Sequence, residues 1–317
     1  MLWDHFLQIL KNYWPHVVLL AGSYFLLRKS YYFALGLNRF KKLSLLNRVV
    51  VITGASSGLG KQLAIKCYCE GAKVILLARR VEELKKLCEQ LKETTGVNNK
   101  NEPMYAYLDI NNIDQAAERA ILSLLPSGKI DVLFNNAGIS MRGNCEDTPI
   151  EVHRKVLETN YFGPVFLTQL LLDKISSDGA IVVTNSIQGK LAVPYRSAYS
   201  ASKHAVQAFF DSLRCEKGPD FHILSIFAGY MRTDLGRNAL TLQPKSKAAN
   251  DLDQMNGIDP SVAANMIYKA LINRKTELTI APLTYKFAIF LRWLCPDLIF
   301  YILYKRSAGS PFAKKNE

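Results

Sequence analysis

The sequence has few cysteines for its length and no pattern that joins them. Six cysteines are scattered over 317 residues, without a C-x-x-C pair and without a spacing typical of zinc ligands. This scatter argues against a disulfide framework and favours a reducing compartment, with the thiols buried in the core. We therefore expect no metal site and no cysteine nucleophile.

Signals for nucleic-acid binding and for glycosylation are also lacking. The formal net charge is +13, from 40 Lys and Arg against 27 Asp and Glu. Such an excess suits nucleic acid, an anionic membrane surface or phosphorylated ligands. No basic stripe with interleaved aromatics and no helix-turn-helix pattern is present, so we expect no nucleic-acid partner. The chain has no N-x-S/T acceptor, as a cytosolic domain would not need one.

Residues 1–44 differ in composition from the rest of the chain and predict a membrane anchor with a basic linker. Residues 17–27 form an apolar run that aromatic residues precede and that Arg28 and Lys29 follow. Aromatic side chains suit a membrane interface, and a basic flank places that side in the cytosol. The run is shorter than the ~20 residues of a typical span. A signal anchor is the preferred interpretation, and an interfacial hairpin or helix is the alternative.

The sequence ends in KKNE, which places Lys314 and Lys315 at the fourth and third positions from the last residue. A lysine pair at these positions resembles the retrieval signal of endoplasmic-reticulum membrane proteins, and a solvated charge run is the alternative. Together with the basic flank of the apolar run, it predicts a catalytic domain on the cytosolic side of the endoplasmic-reticulum membrane. A peroxisomal or other membrane is the second choice.

A strand followed at once by a glycine-rich turn and a helix predicts a dinucleotide-binding site. Residues 48–53 (RVVVIT) have the β-branched character of a buried parallel strand, and residues 53–60 (TGASSGLG) form the turn. Glycines let the backbone approach a pyrophosphate at a helix N-terminus, although the spacing is not that of the common G-x-G-x-x-G fingerprint. The candidate cofactor-binding residues of this turn are Thr53, Gly54, Ser56, Ser57, Gly58, Leu59 and Gly60.

The end of the second strand indicates which dinucleotide is bound. Residues 73–78 (KVILLA) are followed by Arg79 and Arg80. An acidic residue here would hold the ribose hydroxyl of NAD, whereas an arginine suits the 2′-phosphate of NADP. We therefore predict NADP(H), with Arg79 as its first-choice ligand and a solvated charge at the helix start as the alternative.

The next two strands also end in polar or small residues. Residues 104–108 lead to Asp109, which is placed to bond the adenine amine, to cap the helix starting near Ile113, or to do both. Residues 130–134 lead to NNAG, whose small residues let a cofactor pass close by. The candidates in this motif are Asn136, Ala137 and Gly138.

Asn160 interrupts the apolar face of a helix that follows Pro149. A buried asparagine needs hydrogen-bond partners. Two roles remain open from the residues alone: Asn160 is structural, or it holds a water that links a lysine to solvent.

Ser186, Tyr199 and Lys203 form the constellation that carries chemistry. Tyr199 and Lys203 stand four residues apart at the start of a helix, and Ser186 ends an apolar strand thirteen residues before the tyrosine. Residues four apart share one helix face, so the ammonium can lie beneath the phenol and favour its ionised form. This spacing predicts Tyr199 as the acid/base, Lys203 as the group that tunes its pKa, and Ser186 as the holder of a substrate oxygen.

The alternation of strands and helices predicts an α/β fold, a Rossmann-like doubly wound parallel sheet in a single domain over residues 45–282. Residues 237–257 are polar and predict a mobile flap over the substrate. Residues 283–317 predict an apolar helical extension with a basic tail. Two interpretations of residues 283–304 stay open, a second membrane-contacting element and a helix that caps the substrate pocket.

Together these motifs resemble the short-chain dehydrogenase/reductase superfamily over residues 47–280. The motifs that carry the resemblance are TGASSGLG, Asp109, NNAG, Asn160, Ser186, and Tyr199 with Lys203. The resemblance implies that Ser186 orients the substrate carbonyl and that Tyr199 is the general acid/base. It implies that Lys203 lowers the tyrosine pKa and binds the nicotinamide ribose. It also implies a relay water at Asn160, a nicotinamide contact from Thr233, and a homodimer or homotetramer.

Two positions depart from the pattern of this superfamily. Ala228 and Gly229 stand where Pro-Gly is usual, so the backbone beside the nicotinamide is less constrained. Asn185 stands before the serine at a position that is often serine. Neither change removes a catalytic group, and both are placed to alter substrate preference.

The expected function is that of a membrane-anchored NADPH-dependent oxidoreductase that reduces a lipophilic carbonyl to an alcohol. The expected substrates are carbonyls of the lipid, steroid, retinoid or acyl-dihydroxyacetone-phosphate type. A non-catalytic NADP(H)-binding protein that acts through a partner is the alternative from a different class. Oxidation of an alcohol with NADP⁺ would use the same residues.

Overall fold

The computed structural model describes scattered residues between 13 and 31 and the ranges 42–94, 99–241 and 256–308. The chain divides into two units, Met1–Lys42 and Leu43–Glu317. The described residues of the first unit that lie before residue 32 are helical and exposed. Most of the predicted anchor and the KKNE tail lie outside the described residues. Among the residues that are described, no helix is both long and apolar enough to cross a membrane.

The second unit alternates strands with helices, as the sequence pattern predicts. Its strands are β1 Val49–Thr53, β2 Lys73–Ala78, β3 Met104–Tyr107, β4 Ile130–Asn135, β5 Met141–Arg142, β6 Ile175–Ser186, β7 His222–Ala228, β8 Leu240–Thr241 and β9 Glu277–Ile280. Its helices are α1 Gly58–Cys69, α2 Val81–Lys92, α3 Gln115–Ser123, α4 Ile150–Leu157, α5 Gly163–Leu171, α6 Ser197–Lys217, α7 Pro260–Ile272, α8 Leu283–Leu294 and α9 Pro296–Ser307.

Seven of these strands form one parallel sheet in the order β3-β2-β1-β4-β6-β7-β9. The order reverses between β1 and β4, because the chain first builds outward through β2 and β3 and then crosses back. Helices that leave β1 and β4 toward opposite sides open a crevice at the carboxyl ends of these strands. The short β5 and β8 pair separately, Met141 with Leu240 and Arg142 with Thr241.

Both faces of the sheet are covered, so its strands are apolar on both sides. One face packs against α1, α2 and α7 through residues such as Leu63, Leu84 and Ile267. The other packs against α3, α5 and α6, where Leu167 and Phe210 are fully buried. The doubly wound parallel sheet is therefore confirmed.

Several predicted boundaries differ from the structure. The strand predicted over residues 180–184 begins at Ile175, and the sequence pattern did not single out β9 or α7. Both pack at the β7 end of the sheet, where pairing partners distant in sequence decide what forms a strand. Within the predicted flap, residues 240–241 form β8, and residues 242–255 lie outside the described ranges.

The six cysteines are free thiols, but only two match the predicted burial. Cys67 and Cys88 lie in the core, and burial raises the pKa of Cys67 to about 12 and that of Cys88 to about 11. Cys69, Cys145 and Cys215 are exposed, so the expectation of buried thiols is wrong for them. Neighbouring positions of a helix face different directions, and this places Cys67 inside and Cys69 outside.

Candidate active site

A cleft of about 560 Å³ opens at the carboxyl ends of the central strands. It lies at the reversal point of the sheet order, where open parallel sheets bind their ligands. Every cofactor-binding candidate from the sequence lines it, as do Ser186, Tyr199 and Lys203. Asn160 is the exception among the candidates, because its side chain points into the wall behind the cleft.

The glycine turn after β1 forms one wall of the cleft. Gly54 and Gly58 have φ values of +66° and +53°, a region that other residues rarely adopt. A Cβ on Gly60 would come within 2.3 Å of the Gly54 carbonyl oxygen, so only glycine fits there. No side chain caps the N-terminus of α1 at Ser57, which leaves its first N–H groups available to an anion. These features fit a dinucleotide pyrophosphate.

Hydrogen bonds between strand ends hold this wall in place. The Thr53 hydroxyl donates to the Phe134 carbonyl and accepts from the N–H groups of Asn136 and Ala137, at 3.1, 2.9 and 3.0 Å. The Asn136 side chain donates to the Thr53 carbonyl at 3.0 Å and accepts from the Thr184 hydroxyl at 3.2 Å. The ends of β1, β4 and β6 are thereby tied together, so the NNAG motif and the glycine turn form one rigid floor.

Two arginines follow β2 at the edge of the cleft, and only one contacts the glycine turn. Arg80 donates from Nη2 to the Ser56 hydroxyl at 3.0 Å and to the Ser57 hydroxyl at 2.6 Å. Arg79, the first choice from the sequence, lines the same cleft and is exposed. Both guanidinium groups lie where an adenosine 2′-phosphate would be held, and Arg80 is a candidate that the sequence argument ranked too low.

Asp109 lines the cleft after β3, but it does not cap a helix. Its Oδ1 accepts from the Asn111 N–H at 3.1 Å within a turn. The helix expected near Ile113 begins at Gln115, and Asp114 caps it by accepting from the Ala117 N–H at 2.8 Å. The capping role predicted for Asp109 is therefore wrong, and the adenine contact stays a prediction.

Asn160 lies in a wider helical turn, Glu158–Phe162, which separates α4 from α5. Its side chain accepts from the Ile139 N–H and donates to the Ile139 carbonyl, both at 2.9 Å, and it donates to the Ser202 hydroxyl at 2.9 Å. Such a turn is frequent at functional sites because it re-aims side chains. The Asn160 side chain thus clamps the loop after β4 to α6. Its relay water stays a prediction.

Ser186 ends β6 with its hydroxyl at the floor of the cleft. The hydroxyl donates to the Ala228 carbonyl at 3.3 Å and accepts from the Gln188 N–H at 3.2 Å. Asn185, the departure beside it, accepts from the Ser186 N–H at 2.8 Å and donates to the Gln207 side chain at 3.0 Å. Asn185 therefore fixes the serine backbone against α6, which is the structural use of this departure.

Tyr199 and Lys203 project from the first turns of α6, as predicted. Lys203 donates to the Thr184 carbonyl at 2.9 Å, and its Nζ lies 5.7 Å from the centre of the tyrosine ring. Burial lowers the pKa of Lys203 to about 8. This lysine is therefore still mostly charged at neutral pH, but it gives up its proton more readily than an exposed lysine does.

The pKa of Tyr199 differs from the prediction. Burial raises it above the ordinary value of a phenol, and a hydrogen bond with Ser186 and the charge of Arg196 act against the rise. The prediction of a lowered pKa considered only the nearby cation, whereas the desolvation of a phenolate in a buried site is larger here. A protonated phenol is the state that a proton donor needs.

Two residues at the cleft were missed in the sequence. Arg196 lies one helical turn before Tyr199, and its Nη2 donates to the Tyr230 hydroxyl at 3.2 Å. The spacing of Arg196 and Tyr199 on one helix face was the available signal. Tyr230 follows the Ala228-Gly229 pair, and no local pattern marks it, because only the fold brings it opposite α6.

Comparison with known proteins agrees with this geometry. A family model described as short chain dehydrogenase matches residues 48–243. The dehydrogenase/reductase SDR family member 7B of Xenopus laevis is 41% identical over 273 residues, covering 84% of this chain and 84% of that protein.

Two solved structures are also similar. A short chain dehydrogenase from Burkholderia phymatum in complex with NAD has a TM-score of 0.70 at 22% identity, covering 81% of this chain and 96% of that one. At this identity it supports the fold alone. A short chain dehydrogenase from Escherichia coli complexed with NADPH has a TM-score of 0.64 at 27% identity, covering 75% and 99%.

Proposed function

The chain belongs to the short chain dehydrogenase family, and from that premise we propose that it is an NADPH-dependent reductase of a lipophilic ketone or aldehyde. One observation carries the proposal: Ser186, Tyr199 and Lys203 meet at one part of a cleft whose other wall is the glycine turn with Arg79 and Arg80. A proton donor and a dinucleotide site in one cleft are what a carbonyl reductase requires.

The residues that would hold the cofactor are those that line the cleft around the turn. When bound, NADPH supplies the hydride that the carbonyl carbon accepts. The residues proposed to bind it are the glycine turn 53–60, Arg79, Arg80, Asp109, the NNAG residues 136–138, Lys203 and Thr233.

The chain's own groups supply the proton. Tyr199 donates its phenolic proton to the carbonyl oxygen, and Ser186, already bonded to the phenol, holds that oxygen beside it. The phenolate that remains lies near the Lys203 ammonium, which offsets its charge. Because burial raises the pKa of Tyr199, the phenol is protonated at neutral pH before each turnover.

The preference for NADP(H) over NAD(H) rests on charge at the end of β2. Arg79 and Arg80 follow Ala78 directly, and no carboxylate stands at that strand end to bind a ribose hydroxyl. The Escherichia coli structure carries NADPH and the Burkholderia phymatum structure carries NAD, so the family uses both. The two guanidinium groups support NADP(H) for this chain.

A lipophilic substrate and a membrane location are proposed together. The apolar, aromatic-flanked run within residues 1–44 supports anchoring, and its basic flank supports a cytosolic catalytic domain on the endoplasmic reticulum. Carbonyls of lipid, steroid, retinoid or acyl-dihydroxyacetone-phosphate type are then more accessible than polar metabolites. Alkaline carbonate extraction and fractionation of cells that express the full chain test the location. Recovery in the soluble fraction would contradict it.

The experiment that tests the activity compares the protein with its Tyr199→Phe variant. We expect membranes containing the protein to consume NADPH with at least one member of a panel of lipid carbonyls. The variant should lose at least about 10²-fold in kcat, because it has no proton to donate, while NADPH binding stays unchanged. Retained turnover in the variant would contradict the assignment of Tyr199.

The same variant separates the two alternatives. If Tyr199→Phe supports the cellular role of the protein fully, a non-catalytic NADP(H)-binding function is the better explanation. Incubation of the matching alcohols with NADP⁺, under cellular ratios of NADPH to NADP⁺, measures whether oxidation dominates.

A further inference from the structure

The last two helices carry a large apolar surface that the described part of the fold does not cover. In α8 no residue is buried, and in α9 only Ile299 is buried. Leu283 and Trp293 are each 79% exposed. The other exposed large apolar residues of this pair are Phe287, Phe290, Leu294, Leu298, Phe300, Tyr301, Ile302 and Tyr304. A soluble surface rarely gathers this many in one place, so the surface is one that binds something.

The α8–α9 hairpin does not line the cleft, but it starts beside it. None of its residues is among those that line the described cleft, which argues against the pocket-capping interpretation. It follows β9, whose last residue, Ile280, accepts at 2.8 Å from the N–H of Gly229. Gly229 lines the cleft, and β9 is parallel to its neighbours. The hairpin therefore leaves the sheet at the same edge at which the cleft opens.

The charges on the hairpin are almost all positive. Lys286, Arg292, Lys305 and Arg306 face one acid, Asp297. The Arg292 guanidinium lies 4.8 Å from the ring centre of Phe300, and the Lys305 ammonium lies 5.5 Å from that of Tyr301. Basic groups that rest on exposed aromatic rings are positioned for a surface that is apolar within and negatively charged at its boundary.

The length of the helices decides between spanning and lying on such a surface. Each helix has 12 residues, about 18 Å at 1.5 Å per residue. A bilayer core is about 30 Å thick, so neither helix crosses it. Phe287, Phe290 and Trp293 follow one another at three-residue steps and contact in sequence, which makes one continuous aromatic ridge.

We propose that the α8–α9 hairpin docks on the surface of an anionic lipid bilayer, with its aromatic ridge in the headgroup boundary. The cleft then opens toward the membrane, from which a lipophilic molecule can enter without crossing water. This docking is a property of the hairpin and does not depend on the proposed reductase activity.

The test uses Trp293 as a probe in the full chain. The sequence has three tryptophans, so Trp3→Phe with Trp14→Phe leaves Trp293 alone. This protein is reconstituted into vesicles of phosphatidylcholine, with and without phosphatidylserine, and with brominated acyl chains as quenchers. We expect a blue shift of Trp293 emission and bromine quenching in the vesicles that contain phosphatidylserine. The readout needs no turnover, so failure of the reductase proposal would leave it intact.

A charge-reversal pair tests the electrostatic part. Lys286→Glu with Lys305→Glu should reduce the quenching in phosphatidylserine vesicles to the level seen in phosphatidylcholine, since each basic residue near an anionic surface contributes about 1 kcal/mol. The matched control is Lys129→Glu with Lys217→Glu, two exposed lysines that precede β4 and β7 at the opposite edge of the sheet. The control should quench like the starting protein. Circular dichroism confirms that both variants are folded.

Three outcomes would overturn the proposal. Trp293 emission that stays typical of water in both vesicles would show that the hairpin does not dock. Equal quenching in the two lipids, or an equal loss in the control, would exclude recognition of anionic lipid. Shielding of Trp293 without vesicles, together with a dimer that the charge reversal dissociates, would assign the surface to a second copy of the chain.

Discussion

The cleft and the α8–α9 hairpin leave the same edge of the sheet, yet they distribute polarity in opposite ways. In the cleft, polar side chains such as Asn160 and Lys203 are buried and bonded to one another or to backbone. In the hairpin, large apolar side chains such as Leu283 and Trp293 are exposed. The first region has its geometry set from within the protein, whereas the second has a surface that only an external phase can satisfy.

This contrast has a consequence for substitutions. A change in the cleft should disturb a network whose members have no alternative partners, so stability and binding both respond. A change in the hairpin should leave the isolated protein almost unaltered and should matter only at a membrane. Four predictions, from the largest effect to the smallest, can break this comparison.

Gly60→Ala should have the largest effect, because the new Cβ would lie 2.3 Å from a backbone oxygen that has no room to move. We expect a loss of roughly 3 kcal/mol in the free energy of unfolding and a loss of NADPH binding. Gly58→Ala is the matched control: its Cβ would meet Thr233 at 3.2 Å, and its positive φ costs about 1 kcal/mol. Urea denaturation and NADPH titration measure both. Equal effects would contradict the geometry of the turn.

Lys203→Met should make the protein more stable at neutral pH while it removes activity. Burial lowers the pKa of Lys203 to about 8, so between pH 8 and 10.5 the unfolded chain holds a proton that the folded protein has released. Stability contributed by this site therefore rises with pH across that window, by up to about 3 kcal/mol.

The variant should lose this rise, and the measurement is urea denaturation of both proteins from pH 7 to 10. Lys286→Met, on the exposed hairpin, is the control and should retain the pH dependence of the starting protein. A variant that keeps the full dependence would show that Lys203 is not the group responsible.

Arg80→Ala should raise the Kd for NADPH about tenfold, or about 1.4 kcal/mol, and leave the Kd for NADH unchanged. Arg80 already contacts Ser56 and Ser57, so its guanidinium is fixed beside the turn. Arg79→Ala tests the choice made from the sequence. Isothermal titration of both variants with both nucleotides ranks the two arginines, and an equal loss of NADH affinity would argue against 2′-phosphate recognition.

Leu283→Ser should have the smallest effect, within about 0.5 kcal/mol of the starting protein in thermal unfolding without lipid. Leu283 is 79% exposed, so the substitution removes little buried area. Leu76→Ala in the fully buried β2 should cost about 2–5 kcal/mol by comparison. A comparable loss for Leu283→Ser would show that the hairpin surface is covered within the protein itself.

Local sequence patterns predicted much of the site. The run RVVVIT followed by TGASSGLG predicts strand, turn and helix from three neighbouring segments, and β1 and α1 form there. Tyr199 and Lys203 lie on one helix face because their spacing matches the helical repeat. These features depend on neighbours in sequence, so no knowledge of the rest of the fold is needed to recognise them.

Other features of the site could not be predicted in this way. The prediction that Asp109 caps a helix failed because Asp114 competes for the same N–H groups from a better position. The sequence pattern did not single out β9, because its pairing with β7 joins segments about fifty residues apart. The exposure of α8 and α9 also depends on which surfaces the other elements have already covered.

The sequence by itself determined the order of strands and helices, the glycine turn that fits a pyrophosphate, and the serine, tyrosine and lysine that carry the proposed chemistry. Tertiary structure alone decided that Arg80 rather than Arg79 contacts the turn, that Asn160 clamps Ile139 to α6, and that burial raises the pKa of Tyr199. The reason is physical: conformation and helical spacing are local properties of the chain, whereas burial and hydrogen-bond partners depend on what distant segments bring alongside.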